Sequence, residues 1–348
     1  MAQQRKAVAL ISGGLDSMLA AKLMLDQGIH VEGITFFTGF CIDGLHHMSG
    51  VYRGNVPTRN HAFWVAEQLG IEHHIINIVD EYKDIVINPK HGYGAHMNPC
   101  LDCKIFMVGK AQEWIRENGF DFIVTGEVVG QRPKSQRKET MPIIARESGA
   151  DDLLVRPLSA RNLPATLPER EGWIDREKLL GLSGRSRKPQ IQMAQDYGIR
   201  EFAQPSGGCC VLTDENYTHK LQDFWTHRGS RDYEFDDILL LNMGRHLRPD
   251  KHFKLIVSRE ESETRYMEGY RKSFHHIKTV SHAGPITLID GDNLSPEDWE
   301  LAARITARFS QGRKADEVEV RIAPMNGEPS LLKVSPMAAD EILREWYV

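Results

Sequence analysis

The sequence predicts an α/β fold, a doubly wound parallel sheet followed by a second, smaller α+β domain, on three observations. Short apolar runs recur at Lys6–Ile11, Val31–Phe37, Glu72–Val79 and Asp121–Thr125, each the length of a strand. Helical stretches stand between them, and repeated β-α units place such strands parallel in one sheet. From about Asp214 the pattern changes to alternating strands and capped helices.

Lys6–Ile11 runs into Ser12-Gly13-Gly14-Leu15-Asp16-Ser17 and then into the Ala-rich stretch Met18–Leu25, a helix reaching to about Gln27. After strand Val31–Phe37, residues Cys41–Asn60 are polar and irregular. Asp43, His46 and His47 there show no metal-ligand spacing and read as loop residues. Asn60–Gly70 is an amphipathic helix with Ala62, Val65, Ala66 and Leu69 on one face and Gly70 as its stop. Helix Lys104–Asn118 feeds strand Asp121–Thr125, which ends at Gly126. In sheets of this kind ligands sit beyond the carboxyl ends of the strands, where Ser12, Phe36, Phe37 and Gly126 should gather. Gln131–Arg187 reads as loops and short helices over that end, and Ile191–Gly198 as a further helix.

The boundary falls at 213/214, giving domains 1–213 and 214–348. In the second, His252–Arg259 and Glu317–Ala323 read as half-buried strands. Ser295-Pro296 opens a helix with a cap, a first-turn proline and early acids, and Ser335-Pro336 opens a last helix in the same way.

A hydrophobic content of 41% and a charged content of 26% suit a globular protein. With a net charge of −5, any attraction to nucleic acid must come from local patches. No apolar run approaches the ~20 residues needed to span a bilayer, and the N-terminal run is too short for a signal peptide. A cytoplasmic protein is expected. The five cysteines, Cys41, Cys100, Cys103, Cys209 and Cys210, are odd in number and clustered, a pattern of catalysis or metal binding rather than of disulfides.

The glycine pair after the first strand turns successive N–H groups inward, and the helix start adds unpaired donors and positive dipole. Ser12–Ser17 is therefore an anion cradle. Ser12 and Ser17 can donate to phosphate oxygens, and Asp16 can hold Mg²⁺ or cap the helix. The loop is not a Walker loop, because Gly109-Lys110 lacks that motif's flanks. Asn98-Pro99-Cys100-Leu101-Asp102-Cys103 stands directly before helix Lys104–Asn118. A dipole and a neighbouring Lys104 there should lower a thiol pKa. Ser206-Gly207-Gly208-Cys209-Cys210 is a second, small-residue turn far along the chain. Two basic clusters, Gly130–Lys138 and Gly184–Lys188, flank the expected site and suit RNA or ATP phosphates.

Ser-Gly-Gly-Leu-Asp-Ser resembles the pyrophosphate loop (PP-loop) of the ATP pyrophosphatase superfamily, whose domains have the adenine nucleotide alpha hydrolase-like fold and adenylate their substrates. With the two cysteine groups, residues 1 to about 215 resemble the tRNA 2-thiouridylase branch. The resemblance implies that Ser12, Gly13, Gly14, Asp16 and Ser17, with Phe36 and Gly126, bind ATP and Mg²⁺. It implies that Cys103 attacks the adenylated base and that Cys210, with Cys209 beside it, carries persulfide sulfur. Thr125-Gly126 matches the family's strand-end pair, but the usual following His is Glu127 here. Cys100 is a second departure. CxxC plus one distant cysteine resembles the iron–sulfur tRNA thiolation enzymes, in which Cys100, Cys103 and Cys209 or Cys210 would hold a [4Fe–4S] cluster. Persulfide chemistry without metal and a structural Zn²⁺ stay open beside it. Cys41 is left to the core or a loop.

The expected activity is ATP-dependent RNA thiolation, most simply of a tRNA uridine, with a sulfur donor protein or sulfide as second partner. A small-molecule adenylating enzyme of the same superfamily, or an RNA-binding protein with a structural nucleotide, would share the loop. Asn242–Lys254 carries a third basic stretch, Arg245, His246, Arg248, Lys251, His252 and Lys254, and resembles an RNA-binding module found beside pyrophosphate-loop domains. A structural or dimerisation domain fits the same residues.

Overall fold

The computed structural model describes residues 4–42, 44, 50, 60–199, 201–202 and 209–348. Asp43, His46, His47 and the Ser206-Gly207-Gly208 turn lie outside the described residues. The chain divides into two compact units, one of residues up to Gly44 and from 60 to Thr213, the other from Asp214 to Val348.

In the first unit β1 (Lys6–Leu10), β2 (His30–Phe37), β3 (His73–Asn77), β4 (Phe122–Thr125) and β5 (Leu154–Val155) form one sheet in the order β3-β2-β1-β4-β5. Every pairing is parallel. The strands are short and alternate across the sheet, so each feeds two cores. Ala7, Ala9, Val31, Phe122 and Val124 pack on one side with α1 (Leu15–Leu25) and α2 (His61–Leu69). Val8, Ile34, Phe36 and Ile123 pack on the other with α4 (Cys100–Asn118) and α5 (Thr140–Glu147), and Tyr82 of α3 (Val79–Ile87) lies against Phe106 of α4. Short α6 (Leu167–Arg170) and α7 (Lys188–Asp196) complete the unit. The strand order reverses between β1 and β4, and a crevice opens at such a switch point beyond the carboxyl ends. The Ser12–Ser17 loop and Gly126 both stand at that end.

Two boundaries differ from the sequence expectation. The long helix begins at Cys100 rather than Lys104, so both cysteines of the pair occupy its first turn. Strand β3 ends at Asn77, and residues 79–87 are helical, with Tyr82 and Val86 buried. Asn77 Oδ1 accepts from Val79 N and starts that helix where the apolar run alone reads as strand.

The second unit comprises α8 (Glu215–Arg228), α9 (Phe235–Asn242), β6 (Arg245–Asp250), β7 (Phe253–Val257), α10 (Glu261–Met267), β8 (His275–Thr279), β9 (Ile286–Gly291), α11 (Pro296–Arg308), β10 (Val318–Ala323) and β11 (Ser330–Val334). Its strands form an antiparallel sheet in the order β11-β10-β8-β9-β7-β6. Helix α11 covers one face, while Leu240 of α9 and Met267 of α10 pack on the other. Strand β7 is therefore buried on both faces and not half-buried as its sequence suggests. The expected last helix after Ser335 is absent among the described residues. Met337 N bonds instead to Arg304 O on α11, Ala338 N bonds to Glu341 Oε2, and Met337 and Ile342 join the core. Tertiary contacts there offer the backbone better partners than a helix would.

The basic stretch Arg245–Lys254 is largely consumed internally. Arg248 forms a bidentate pair with Asp223 at 2.6 and 2.8 Å, and buried Lys254 reaches the same carboxylate at 3.4 Å. His252 bonds Asp298 at 3.0 Å. Asp298 also closes a capping box with Ser295 at the start of α11. Ser295→Ala should cost the second unit about 1 kcal/mol, read as a lower urea midpoint with an unchanged slope.

Candidate functional site

Gly13 adopts φ +75°, and a Cβ there would lie 2.5 Å from the Cβ of His61 at the start of α2. Only glycine lets the loop turn this closely. Ser17 Oγ donates to Gly14 O at 2.8 Å and accepts from Ser12 N at 3.3 Å, with Ser12 Oγ 3.4 Å away. The two hydroxyls thus close the loop on itself. At Gly126 a Cβ would come within 2.5 Å of Asp16 C and O and Ser17 N, so the end of β4 packs directly on the first turn of α1.

Asp16 Oδ2 accepts from Gln131 Nε2 at 2.6 Å, and Gln131 in turn accepts from Gln190 Nε2 at 3.1 Å. Asp16 Oδ1 is buried with no hydrogen-bond partner. An unpaired buried carboxylate oxygen is costly, and a cation brought in with phosphates would satisfy it. This donor and the cradle fit Mg²⁺ and a nucleotide. Phe36 fits less well than expected. Its ring is 4% exposed in the core with Leu101 and Val108, which leaves the backbone as its ligand-facing part.

The distant cysteines converge. Residues 41 and 210 form an antiparallel bridge, which draws the second cysteine group to the end of β2. Burial pushes the Cys103 thiol well up, Cys209 and Cys100 push it further, and the Tyr82 hydroxyl and Lys104 oppose them. Burial likewise raises Cys210, reinforced by Cys209, Cys103 and Cys41. Cys100 is raised by burial and by Cys209, against Arg132, Asn98 and Lys104. Arg132 Nη1, in the basic loop, donates to Cys209 Sγ at 3.7 Å. The low thiol pKa expected from the helix start is therefore overturned for Cys103. Desolvation and the neighbouring sulfurs outweigh the dipole and Lys104.

The nearby cations, Lys104 and Arg132, do not offset the rise in these thiols. An iron–sulfur cluster or a metal ion would supply further positive charge, so the donor chemistry fits. A single tetrahedral zinc, with Zn–S of about 2.3 Å, would need sulfurs about 3.8 Å apart. Among the described residues no three cysteine sulfurs lie within 4.8 Å of one another.

Three neighbours escaped the sequence reading. Tyr82, 1% exposed, points its hydroxyl at Cys103, and nothing near it in sequence signals this. Cys41 borders Cys210 and bonds Thr38 Oγ1 at 3.3 Å. Arg156 Nε pairs with buried Glu127 at 3.0 Å, and Thr125 Oγ1 donates to the same carboxylate oxygen at 2.9 Å. Burial pushes Glu127 up, but Arg156, Lys104 and these bonds outweigh it and hold the carboxyl below its usual range. Glu127, where the family has His, is thus an anchor that ties the end of β4 to the segment after β5.

One cation of the basic clusters also serves the scaffold: Lys134 Nζ donates to Gly92 O at 2.7 Å. Arg132, Arg137, Lys138, Arg185 and Lys188 are exposed.

Arg156→Leu should destabilise the first unit by about 3–5 kcal/mol at neutral pH, because it leaves a buried carboxylate unpaired. Glu127 has a depressed folded pKa, so the pair's contribution is present above the unfolded carboxylate value and lost as pH falls through the folded one. The gap between wild type and variant in urea melts should narrow in acid; a gap that widens would contradict this. Alkylation followed by mass spectrometry should modify exposed Cys209 first and Cys103 far more slowly at neutral pH.

Residues 5–152 match the family model described as the tRNA methyl transferase HUP domain, and residues 244–347 that of the NFACT protein RNA binding domain. The chain is 23% identical over 325 residues to the tRNA-specific 2-thiouridylase MnmA of Pelobacter propionicus, covering 92% of this chain and 80% of the relative. It is 34% identical over 254 residues to the MnmA of Treponema denticola, covering 69% of this chain and 63% of the relative. Among solved structures, a 4-thiouridine synthetase–RNA complex with bound ATP aligns at 21% identity and a TM-score of 0.35, over 56% of this chain and 41% of that one. The U34-tRNA thiolase NcsA from Methanococcus maripaludis, with its [4Fe-4S] cluster, aligns at 17% and 0.34, over 69% and 73%. The first unit, with its Ser-Gly-Gly-Leu-Asp-Ser loop, is thus similar to the PP-loop domains of tRNA-thiolating enzymes, and residues 244–347 of the second unit to an RNA-binding domain.

Proposed function

We propose that this protein is an ATP-dependent tRNA sulfurtransferase that adenylates a base carbonyl, most simply a uridine's, and then replaces the oxygen by sulfur. One observation carries the reading. Cysteines from two distant segments gather in the same unit as a pyrophosphate loop whose Asp16 keeps an unpartnered oxygen. An ATP-cleaving loop alone would serve many substrates, and a thiol group alone many redox proteins. Together they suit the exchange of a carbonyl oxygen, which is a poor leaving group until phosphorylated.

In this reading the base oxygen attacks the α-phosphorus of ATP, the α–β bond breaks and pyrophosphate leaves. The N–H groups of the Ser12–Ser17 loop and a Mg²⁺ at Asp16 hold the charge that develops on it. Sulfide, free or brought by a donor protein, then adds to the activated carbon, and AMP departs with the original oxygen. Cys103 and Cys210 are the sulfur-handling residues, with Cys100 and Cys209 beside them. Tyr82 orients Cys103, and Arg132 reaches toward Cys209. A [4Fe–4S] cluster held by Cys100, Cys103 and Cys209 or Cys210 would supply an iron left open for sulfide. The exposed cations of the Gly130–Lys138 and Gly184–Lys188 segments, with the C-terminal domain, are the proposed contacts to tRNA phosphates.

The test is AMP and pyrophosphate release from ATP by anaerobically purified protein, with and without bulk tRNA. Release should require tRNA and fall at least about a hundredfold in Asp16→Ala, on the scale of losing one charge-stabilising group. Cys103→Ser and Cys210→Ser should keep release and lose thiolated nucleoside. Release indifferent to tRNA would instead favour a small-molecule adenylating enzyme.

A further inference from the structure

At the amino ends of β2 and β3, opposite the pyrophosphate loop, the strand period places His30, Glu32, Glu72 and His74 on one face of the sheet. Glu32 lies between the imidazoles: Oε1 is 3.0 Å from His30 Nε2, and Oε2 is 2.6 Å from His74 Nε2. Glu72 Oε1 lies 4.0 Å from the same His74 nitrogen. The ligand atoms of Glu32, Glu72 and His74 fall within 4.8 Å of one another.

We propose that His74, Glu32 and Glu72, with His30 as a fourth donor, form a site for a divalent transition-metal ion of the Zn²⁺ class. Two imidazoles with two carboxylates suit such an ion, whereas Mg²⁺ and Ca²⁺ take all-oxygen sets. Zn–N and Zn–O bonds of about 2.0–2.2 Å place tetrahedral ligand atoms about 3.3–3.5 Å apart. The observed separations of 2.6 and 4.0 Å bracket that spacing, so small side-chain shifts admit the ion. The direct contact between Glu32 and His74 would give way to bonds from both side chains to the metal. An aromatic wall orients the rings: His74 lies 5.2 Å from Trp114, Trp114 lies 4.8 Å from Phe120, and Phe120 lies 6.0 Å from His30. Among the described residues strand β3 is the sheet's edge. A metal here would tie it to β2 by ligands from both strands.

The test is Co²⁺ titration of the whole chain, reduced and anaerobic. Tryptophan emission is followed alongside the sulfur-to-cobalt charge-transfer absorption, which reports the thiols separately. A saturable quenching component should appear, be displaced by Zn²⁺ and vanish in Trp114→Phe. It should weaken at least about tenfold in Glu32→Gln and in His74→Gln, with the charge-transfer band unchanged. Zn²⁺ should also raise the Tm of a Cys100→Ser/Cys103→Ser variant, and not that of the same variant carrying Glu32→Gln. Quenching that only tracks the charge-transfer band, or Glu32→Gln and His74→Gln titrating as wild type, overturns the site.

Discussion

The close contact of Gly126 with the first turn of α1 is the constraint on which the candidate site depends. With no Cβ at the end of β4, the strand rests directly on Asp16 and Ser17. That contact fixes where the loop's N–H groups open and where Asp16 points. The Glu127–Arg156 pair, one residue on, ties this strand end to the segment after β5. A buried ion pair contributes little net stability against an apolar substitute, but breaking one is costly. Its role here is one of position: it holds the floor of the crevice in a single arrangement.

A second constraint is electrostatic. Burial raises the thiol pKa of Cys100, Cys103 and Cys210, and the neighbouring cysteines raise it further. Such an arrangement keeps thiols protonated and unreactive until a metal group or a partner changes the local charge. Tyr82, Lys104 and Arg132 offset part of the penalty from three different segments. The pyrophosphate loop shows the reverse logic. It presents N–H donors suited to an anion, and its one carboxylate keeps an unsatisfied oxygen. Both halves of the site are thus unbalanced in charge, each in a way that its proposed ligand would correct.

The two units use their cations differently. In the C-terminal unit Arg248 and Lys254 are spent on Asp223, and His252 is spent on Asp298 and the cap of α11. A run of basic residues in sequence is therefore a poor guide to surface charge. The exposed cations of the first unit, Arg132 and Lys138 among them, belong to loops that a sheet cannot absorb.

What the sequence by itself determined is local. The glycines of the loop, the strand–helix alternation, the stop at Gly70 and the cap at Ser295 are set by neighbouring residues, so the parallel sheet and the phosphate cradle could be read directly. The convergence of Cys100 and Cys103 with Cys209 and Cys210 was legible only through family resemblance, since nothing in their spacing brings them together. Tertiary structure alone decided the rest. It raised the Cys103 pKa where the helix start alone would lower it, because desolvation depends on what packs around a thiol. It brought Tyr82 and Arg156 to the site and dissolved the helix expected after Ser335, because α11 offers that segment's N–H groups better partners. It also set His30, Glu32, Glu72 and His74 side by side, through a strand pairing that no local pattern encodes.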